Sequence, residues 1–427
     1  MAVLKTIKPN FLSGISETGL SDRKFLPYGR QHITEQDIQA VIDVLRSDWL
    51  TQGPAVPAFE EALARRVGSK YAVACSNGTA ALQLAMLALK IGPGDEVVTT
   101  PITFLASANC AVHVGAHVRF SDIDPATGLM DAEALQKILS ADKKGRIKAV
   151  IPVHFAGQPA ELDKIHKLAA AHGAEVVDDA CHALGAAYNV AQREFSIGAN
   201  DHSLMTVFSF HPVKHVAMGE GGAIITRDAE ILERLTTLRN HGIRKKDFEN
   251  PILAFSHKGE INPWYYEMVE PGYNYRLTDI QAALGQSQLE RLPHSLKRRN
   301  EIAECYCAFL AEYFPDGGVQ HLHRRDEVFH AYHLFVVLID FEKFGISRAS
   351  VINSLRQSGI GTQVHYIPLH LQPFYRRVCR TGPGDFPNAE AYYAKALSLP
   401  MYPELTQNDC RRVIAKLSNI LNGKGDF

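Results

Sequence analysis

The chain has 427 residues, too many for one small hydrophobic core, so we expect a large domain and a smaller one. Hydrophobic residues make up 46% of it and charged residues 21%, which excludes a disordered protein. Forty-five basic and 46 acidic side chains leave a formal net charge of -1, which excludes a global field that would recruit nucleic acid or an anionic membrane. Any phosphate site must therefore be local.

Location and redox state are indicated by the start of the chain and by its cysteines. Residues 1–24 are expected to be a polar N-terminal leader without the apolar stretch of a secretory signal, and no later run could span a bilayer. Seven cysteines stand singly, with no CxxC pair, which favours reduced thiols over a disulfide framework or a zinc cluster. We therefore expect a cytoplasmic protein without a membrane partner.

The first regular element should follow the leader. Thr34 and Asp37 predict a capping box, and Ile38, Ile42 and Leu45 fall on one face of the helix that it opens. From about residue 70 onward, apolar runs such as KYAVAC, EVVTTP, HVRFSDI, KAVIPVHFAG, AEVVDDA and LMTVFSF alternate with helical segments. Consecutive apolar residues in strands separated by helices predict a mostly parallel sheet covered on both faces.

The pattern divides the chain into two domains. We predict a large domain over residues 25–289 with a polar, aromatic insertion at about 244–270. Residues 290–427 carry an α+β pattern, with a strand at HLFVVLID and a helix at RASVINSLRQSG, and should form the small C-terminal domain. In such sheets ligands collect beyond the carboxyl ends of the strands, so the residues that follow the strands are the candidates for function.

Two of these strand ends carry candidate residues. In SNGTAAL, Gly78 and Thr79 open a helix after a strand, a place where backbone N–H groups bind phosphate, although an ordinary strand-helix turn fits as well. In AEVVDDACHALG, the carboxylates of Asp178 and Asp179 end an apolar strand near His182. Burial of a carboxylate is costly unless it is paired, and the simpler alternative is a helix N-cap.

Three further segments have both a chemical and a structural interpretation. Lys214 lies in a glycine-rich loop among small and apolar residues, where burial would make it a usable amine nucleophile, whereas a surface lysine is the alternative. Asn274 belongs to GYNYRLTD, which could equally cap the next helix. His365 and His370 stand five apart across a proline and do not share a helix face, so we predict no metal site.

Taken together, GTAAL, DDACHA, SFHPVKH with GEGG, and GYNYR-TD occur in an order and spacing that resembles the DegT/DnrJ/EryC1/StrS sugar-nucleotide aminotransferase family. The resemblance extends from about Phe25 to Leu421. It implies an α/β fold of the fold type I, aspartate-aminotransferase-like class, with a large mixed-sheet α/β sandwich domain and a smaller C-terminal α+β domain. It also implies an enzyme with pyridoxal 5'-phosphate (PLP) as cofactor and a homodimer with shared active sites.

The resemblance assigns roles residue by residue. Lys214 would form the Schiff base with PLP and move the reacting proton, and Asp179 would pair with the ring nitrogen, where a carboxylate keeps the ring protonated. Asn274 would reach the cofactor phosphate from the neighbouring subunit. The other implied cofactor contacts are Gly78, Thr79 and Ser209 at the phosphate, and Phe104 and His182 at the ring.

A narrower resemblance concerns the substrate. FLPYGRQHITEQDI, DWLTQGP, IPVHFAGQP and PWYYEM resemble the subgroup that makes UDP-4-amino-4,6-dideoxy-N-acetyl-β-L-altrosamine on the route to pseudaminic acid. This implies L-glutamate as amino donor and amination at C4 of a UDP-linked 4-keto-6-deoxy-N-acetylhexosamine. The candidate sugar-site residues are Tyr28, Thr51, Gln52, His154, Trp264, Tyr265, His365 and Tyr366.

Alternatives remain within and outside this subgroup. Ala217 and Met218 stand where the subgroup usually has a threonine pair, and Trp264 and Tyr265 could instead pack the insertion. Another nucleotide-linked keto-sugar, amination at C3 and a PLP-dependent dehydration are the competing reactions. Relatives that dehydrate have histidine in place of the lysine, so Lys214 favours transamination. A PLP-bound regulator is the non-enzymatic alternative, for which the sequence has no DNA-binding module.

Overall fold

The computed structural model describes residues 25–423, so the predicted leader lies outside the described residues. The strands are β1 (Tyr71–Cys75), β2 (Glu96–Thr99), β3 (His117–Phe120), β4 (Ile147–Ile151), β5 (Glu175–Asp179), β6 (Ala187–Val190), β7 (Arg193–Ser196), β8 (Met205–Ser209), β9 (Gly222–Thr226), β10 (Ile243–Arg244), β11 (Glu267–Met268), β12 (Val319–His321), β13 (Val328–Phe329), β14 (Phe335–Ile339) and β15 (Ala396–Leu399).

The helices are α1 (Glu35–Leu45), α2 (Ala55–Val67), α3 (Gly78–Ala88), α4 (Ala106–His113), α5 (Ala132–Ala141), α6 (Leu162–Ala170), α7 (Ala229–Arg239), α8 (Pro251–Ala254), α9 (Asp279–Glu290), α10 (Leu292–Tyr313), α11 (Arg348–Gln357), α12 (Pro373–Val378), α13 (Pro387–Lys395) and α14 (Gln407–Leu421). Within residues 25–423, no helix is long and apolar enough to cross a bilayer.

The central feature is a seven-stranded sheet in the order β1-β9-β8-β5-β4-β2-β3. The five strands from β8 to β3 run parallel, and β9 is antiparallel to both of its neighbours. The predicted mostly parallel sheet is therefore confirmed. All the parallel strands end at one edge, which brings residues that are distant in sequence close together.

Helices cover both faces of this sheet because adjacent strand residues point to opposite sides. Val98 packs into the apolar cluster that contains the α2 residue Phe59 and α6, whereas its neighbour Val97 packs into the cluster formed by α3, α4 and α7. Such consecutive apolar residues are what the strand pattern predicted. A separate three-stranded sheet, β13-β6-β7, was not predicted, because its strands have only two to four residues and β7 is largely polar.

The predicted capping box at the start of α1 is present, and it also has a tertiary role. The Asp37 carboxylate accepts a hydrogen bond from the Thr34 backbone N–H at 2.8 Å. It is fully buried and also accepts from Ser287 at 2.7 Å and from Arg291 at 2.5 Å. The cap thus ties α1 to α9 and to the start of α10.

The C-terminal half has its own apolar cluster, formed by α10, α11 and α14 against the sheet β12-β14-β15. Helix α10 belongs to two clusters, since Leu292 and Leu296 pack with the large sheet while Ile302 and Tyr306 pack in the C-terminal cluster. The boundary predicted at residue 290 remains a prediction. The insertion at 244–270 contains only the short elements β10, α8 and β11.

Candidate active site

A cavity of about 920 Å³ lies at the carboxyl edge of the large sheet. Segments that follow β1, β5 and β8 form its floor, and residues from the C-terminal half close its other side. This surface, which we call the strand-end wall, is defined by five lining residues: Gly78, Thr79, Asp179, Ser209 and Lys214. Predicted residues that also line the cavity are Tyr28, Phe104, His182, His365 and Tyr366.

Lys214 lies in the connection between β8 and β9, with its side chain on the cavity wall. Its Nζ is 3.4 Å from Nε2 of His333. Burial lowers the pKa of the Lys214 amine below its ordinary value, although the nearby Cys181 and Asp179 act in the opposite direction. A lowered pKa makes the free amine available, which is the requirement for a nucleophilic lysine.

Asp179 and Asp178 end strand β5 and face opposite sides of the sheet. The Asp179 carboxylate faces the cavity and accepts hydrogen bonds from Ser107 Oγ at 2.6 Å and from the Cys181 backbone N–H at 3.2 Å. These two donors hold one carboxylate in a defined orientation. Asp178 is buried on the other side, where it accepts from the Thr206 hydroxyl at 3.1 Å.

His154, a predicted sugar-site residue, does not line the cavity of the single chain. Its side chain is fully buried, and Nδ1 accepts a hydrogen bond from the Ala160 backbone N–H at 2.9 Å. Its Nε2 lies 3.8 Å from the Asp178 carboxylate, behind the strand and away from the cavity. The residue follows a strand end as predicted, but its ring turns into the core of the single chain.

Gly78 and Ser209 form a close contact at the base of the cavity. An added Cβ at Gly78 would lie 2.9 Å from Ser209 Cβ, closer than two such carbons approach, so only glycine fits. Helix α3 begins here, and the Asn77 side chain caps it by accepting from the Ala80 N–H at 2.8 Å. The first N–H groups of a helix lack partners within the helix and bind anions, so the start of α3 and the neighbouring Ser209 hydroxyl together offer hydrogen-bond donors to a phosphate in the cavity.

Aromatic rings and histidines form the opposite side. The Tyr366 hydroxyl is 3.2 Å from His182 Nε2, and the Phe104 and Tyr366 ring centroids are 6.2 Å apart. Tyr28 lies next to His365, with 5.6 Å between their ring centroids. Burial, and then the charge of Lys214, hold the pKa of His182 well below its ordinary value, so this ring is neutral. These aromatic and histidine side chains therefore offer flat, neutral surfaces to a ring-shaped ligand.

Several predicted residues do not line the cavity of a single chain. Thr51 and Gln52 are exposed, and Thr51 forms a bridge with Thr278. Asn274 is exposed and forms a backbone bridge with Asn240. In the insertion, Trp264 is 74% exposed, whereas the Tyr265 hydroxyl donates to Glu267 at 2.9 Å. The Tyr265 contact agrees with the alternative in which it packs the insertion.

Ala217 and Met218, the departures from the expected threonine pair, point away from the cavity. Both are buried, and Met218 packs against Gly285 of α9, where an added Cβ would meet its sulfur at 2.5 Å. Ala217 borders a separate hollow of about 30 Å³ on the far side of Lys214. The substitutions therefore alter the packing behind Lys214 rather than the cavity wall.

Two site residues were missed by the sequence reasoning. Ser107 bonds to Asp179, but a serine near a helix start looks like an ordinary cap. His333 contacts Lys214 from a segment that is 119 residues away in sequence. A pair of histidines directly before a predicted strand, in HAYHLFVV, was the available signal for it.

Comparisons with known proteins agree with this geometry. The model of the DegT/DnrJ/EryC1/StrS aminotransferase family matches residues 31–418. The spore coat polysaccharide biosynthesis protein SpsC of Bacillus subtilis is 41% identical over 400 residues, which cover 93% of this chain and 98% of SpsC.

Two solved structures are similar over nearly their whole length. Helicobacter pylori PseC, an aminotransferase involved in the biosynthesis of pseudoaminic acid, has a TM-score of 0.82 and 30% identity, with 94% of this chain and 100% of PseC covered. The PLP-form of the putative sugar aminotransferase Spr1654 of Streptococcus pneumoniae has a TM-score of 0.81 and 27% identity, with 94% and 100% covered. The chain therefore belongs to the DegT/DnrJ/EryC1/StrS aminotransferase family and has the fold type I architecture of PLP enzymes.

Proposed function

We propose that the protein is a PLP-dependent aminotransferase that moves an amino group from L-glutamate to C4 of a UDP-linked 4-keto-6-deoxy-N-acetylhexosamine. The observation that carries the proposal is the convergence of Lys214, Asp179 and the Gly78–Ser209 contact in one cavity. An amine, a carboxylate and an anion site are the three groups that a phosphorylated pyridine aldehyde requires. They come from three separate strand ends, which makes a purely structural origin of the arrangement implausible.

PLP fits the residues present. Its phosphate would be held by the N-terminus of α3 with Thr79 and Ser209, and its ring nitrogen by Asp179. When bound, PLP supplies an electron-withdrawing ring that stabilises negative charge on the carbon from which a proton is removed. Asp179, oriented by Ser107 and the Cys181 N–H, keeps the ring nitrogen protonated and so preserves that withdrawing power.

Lys214 has the proton-transfer role. Its amine anchors the cofactor, and once free it takes the proton from Cα of glutamate in one half of the reaction. In the other half it delivers a proton to C4 of the sugar. Because burial lowers the pKa of Lys214, more of its amine is in the free form that can take a proton, and its ammonium form releases that proton more readily than an exposed lysine would.

We also propose that the enzyme is a homodimer in which each subunit completes the cavity of the other. The exposed Asn274 and the exposed insertion residue Trp264 would then reach the partner's cofactor phosphate and nucleotide. Large exposed apolar side chains support this, since Phe104, which lines the cavity, is 56% exposed and Trp49 is 54% exposed in the single chain. Exposed apolar surface of this kind is typical of an interface.

The proposed substrate is supported by the similarity to PseC, an aminotransferase involved in pseudoaminic acid biosynthesis. SpsC shares more identity with this chain, 41% against 30%, and favours a second candidate: amination of a different nucleotide-linked keto-sugar for a polysaccharide. The two candidates share the site and differ in the sugar. Residues from the C-terminal half, among them His365 and Tyr366, would distinguish the sugars because they line the side opposite the strand-end wall.

The test is reconstitution followed by product analysis. Purified protein with PLP should show the visible absorption of a lysine-bound cofactor, and Lys214→Ala should abolish both this absorption and turnover. The matched control Lys416→Ala replaces a lysine of α14 and should retain both. With glutamate and a panel of UDP- and TDP-linked keto-sugars, mass spectrometry and NMR identify the aminated carbon. Protein that binds no PLP would overturn the proposal, and loss of oxygen without amination would assign a dehydratase.

A further inference from the structure

His333 lies against Lys214 and His182 at the edge of the cavity. Its Nε2 lies 3.4 Å from Lys214 Nζ, and its ring centroid is 4.3 Å from that of His182. The side chain is 4% exposed and lines the cavity. Its Nδ1 has no hydrogen-bond partner within the described chain, so Lys214 is the hydrogen-bonding partner of the ring, which packs beside His182.

The backbone around His333 is held from two directions. Arg299 of α10 donates from one nitrogen, Nη1, to the carbonyl oxygens of Tyr332 at 2.9 Å and Met401 at 3.2 Å, and more distantly to that of His333 at 3.4 Å. From the large-domain side, His215 Nε2 contacts the Ala331 carbonyl at 2.9 Å. The segment before β14 is therefore attached to both halves of the molecule.

Arg299 is an unusual group to hold a backbone segment in place. Its side chain is 1% exposed, and its partners in the described chain are carbonyl oxygens rather than carboxylates. Burial lowers the pKa of Arg299 to about 10. A buried cation without a carboxylate partner is costly, and a fold retains one where the geometry that it imposes is needed.

We propose that His333 is a positioning residue for Lys214: its imidazole accepts a hydrogen bond from Lys214 Nζ and directs the amine across the cavity. The inference rests on the proposed function for its catalytic meaning, because Lys214 is the group that would move the proton. In the protein without cofactor, the proposal concerns only the contact between the side chains of His333 and Lys214.

The chemistry of the contact supports a neutral acceptor. Burial, and then the charge of Lys214, hold the pKa of His333 well below its ordinary value, so its ring has a lone pair to offer. An acceptor stabilises the ammonium form of Lys214 and limits the rotation of its long side chain. The ionisable groups that face the pair are Asp179, Cys181, His182, His215, Arg299 and His365.

Two amide replacements separate positioning from packing. Glutamine places its amide close to the position of Nε2, whereas asparagine places it close to Nδ1 and does not reach Lys214. In cofactor-free protein, the pH dependence of Lys214 labelling by formaldehyde and cyanoborohydride is followed by peptide mass spectrometry. His333→Asn should shift the labelling midpoint downward by about half a unit or more, because the ammonium form loses its acceptor. His333→Gln should keep the midpoint of the parent.

His330→Asn is the matched control, since His330 is also buried in this segment and stacks on Tyr332 at 3.9 Å without contacting Lys214. It should leave the labelling midpoint unchanged even if the melting temperature falls. In PLP-loaded enzyme, His333→Asn should lower kcat about tenfold with KM for the sugar nearly constant. An equal shift in the Asn and Gln variants, or no shift in either, would overturn the proposal. Labelling that behaves as expected in a protein without turnover would instead contradict only the proposed function.

Discussion

The strand-end wall and the insertion at 244–270 differ in how complete each is within one chain. In the wall, Asp179 has two hydrogen-bond donors and the Gly78–Ser209 contact leaves no room for a methyl group. In the insertion, Ile252 is 87% and Trp264 74% exposed. Within one chain, the contacts of the site are complete where the parallel strands end. They are incomplete in the insertion, where large apolar side chains are exposed. Most of the groups on the cofactor side thus come from one subunit, with Asn274 as the expected contribution of the neighbouring subunit, and the sugar side is also expected to need two subunits.

The largest effect should follow from a change in the wall. Asp179→Asn should lower kcat by on the order of a thousandfold, because an amide cannot keep the cofactor ring nitrogen protonated. Asp178→Asn, one residue away on the opposite face of β5, should stay within a few-fold of the parent. Steady-state kinetics with glutamate measures both. Equal losses in the two variants would mean that the wall is sensitive only to packing.

A smaller effect is expected at the phosphate cradle. Gly78→Ala adds a methyl group at 2.9 Å from Ser209 Cβ and should push α3 away from Ser209, weakening PLP binding about tenfold or more. Gly382→Ala, where an added Cβ meets nothing within 4 Å, is the control. Fluorescence titration of cofactor-free protein with PLP gives both affinities. Unchanged affinity in Gly78→Ala would place the phosphate elsewhere.

In the insertion, Trp264→Ala should raise KM for the nucleotide sugar about tenfold and leave KM for glutamate unchanged, since stacking on a base is lost while the wall stays intact. Tyr266→Ala removes another exposed aromatic from the same segment and serves as the comparison. Should KM respond to neither substitution, the aromatic residues of the insertion have a packing role only.

The smallest effect concerns stability. Ile252→Ser should change the free energy of unfolding by less than about 0.5 kcal/mol, because the side chain is already in water. Phe59→Ala, in the core beside Phe210, should cost about 3–5 kcal/mol. Chemical denaturation measures both, and sedimentation tests whether Ile252→Ser weakens dimerisation. A large loss of unfolding free energy in Ile252→Ser would show that the insertion is part of the subunit core.

The sheet was predictable because consecutive apolar residues alternated with helical segments, a local signal along the whole large domain. Lys214 and Asp179 were predictable for a related reason, since Asp179 ends one strand, Lys214 lies in the loop after another, and each belongs to a motif. Short polar strands such as β7 were missed because neither periodicity nor apolar content marks them.

The errors arose where orientation or distant contacts decide the outcome. His154 also follows a strand, but a turn at Phe155–Gly157 directs its ring into the core. His333 depends on the fold as a whole, because its contact with Lys214 requires the C-terminal half to close over the sheet. The exposed face of α1, with Leu45 55% exposed, similarly cannot be explained within one subunit.

Helix α10 connects the apolar cluster of the large sheet with that of the C-terminal half. Its 22 residues run for about 33 Å without a break, with Leu292 fixed in one apolar cluster and Phe309 in the other. One continuous helix therefore belongs to the apolar cores on both sides of the predicted domain boundary. It also couples the melting of the two halves, and we expect them to unfold in a single transition.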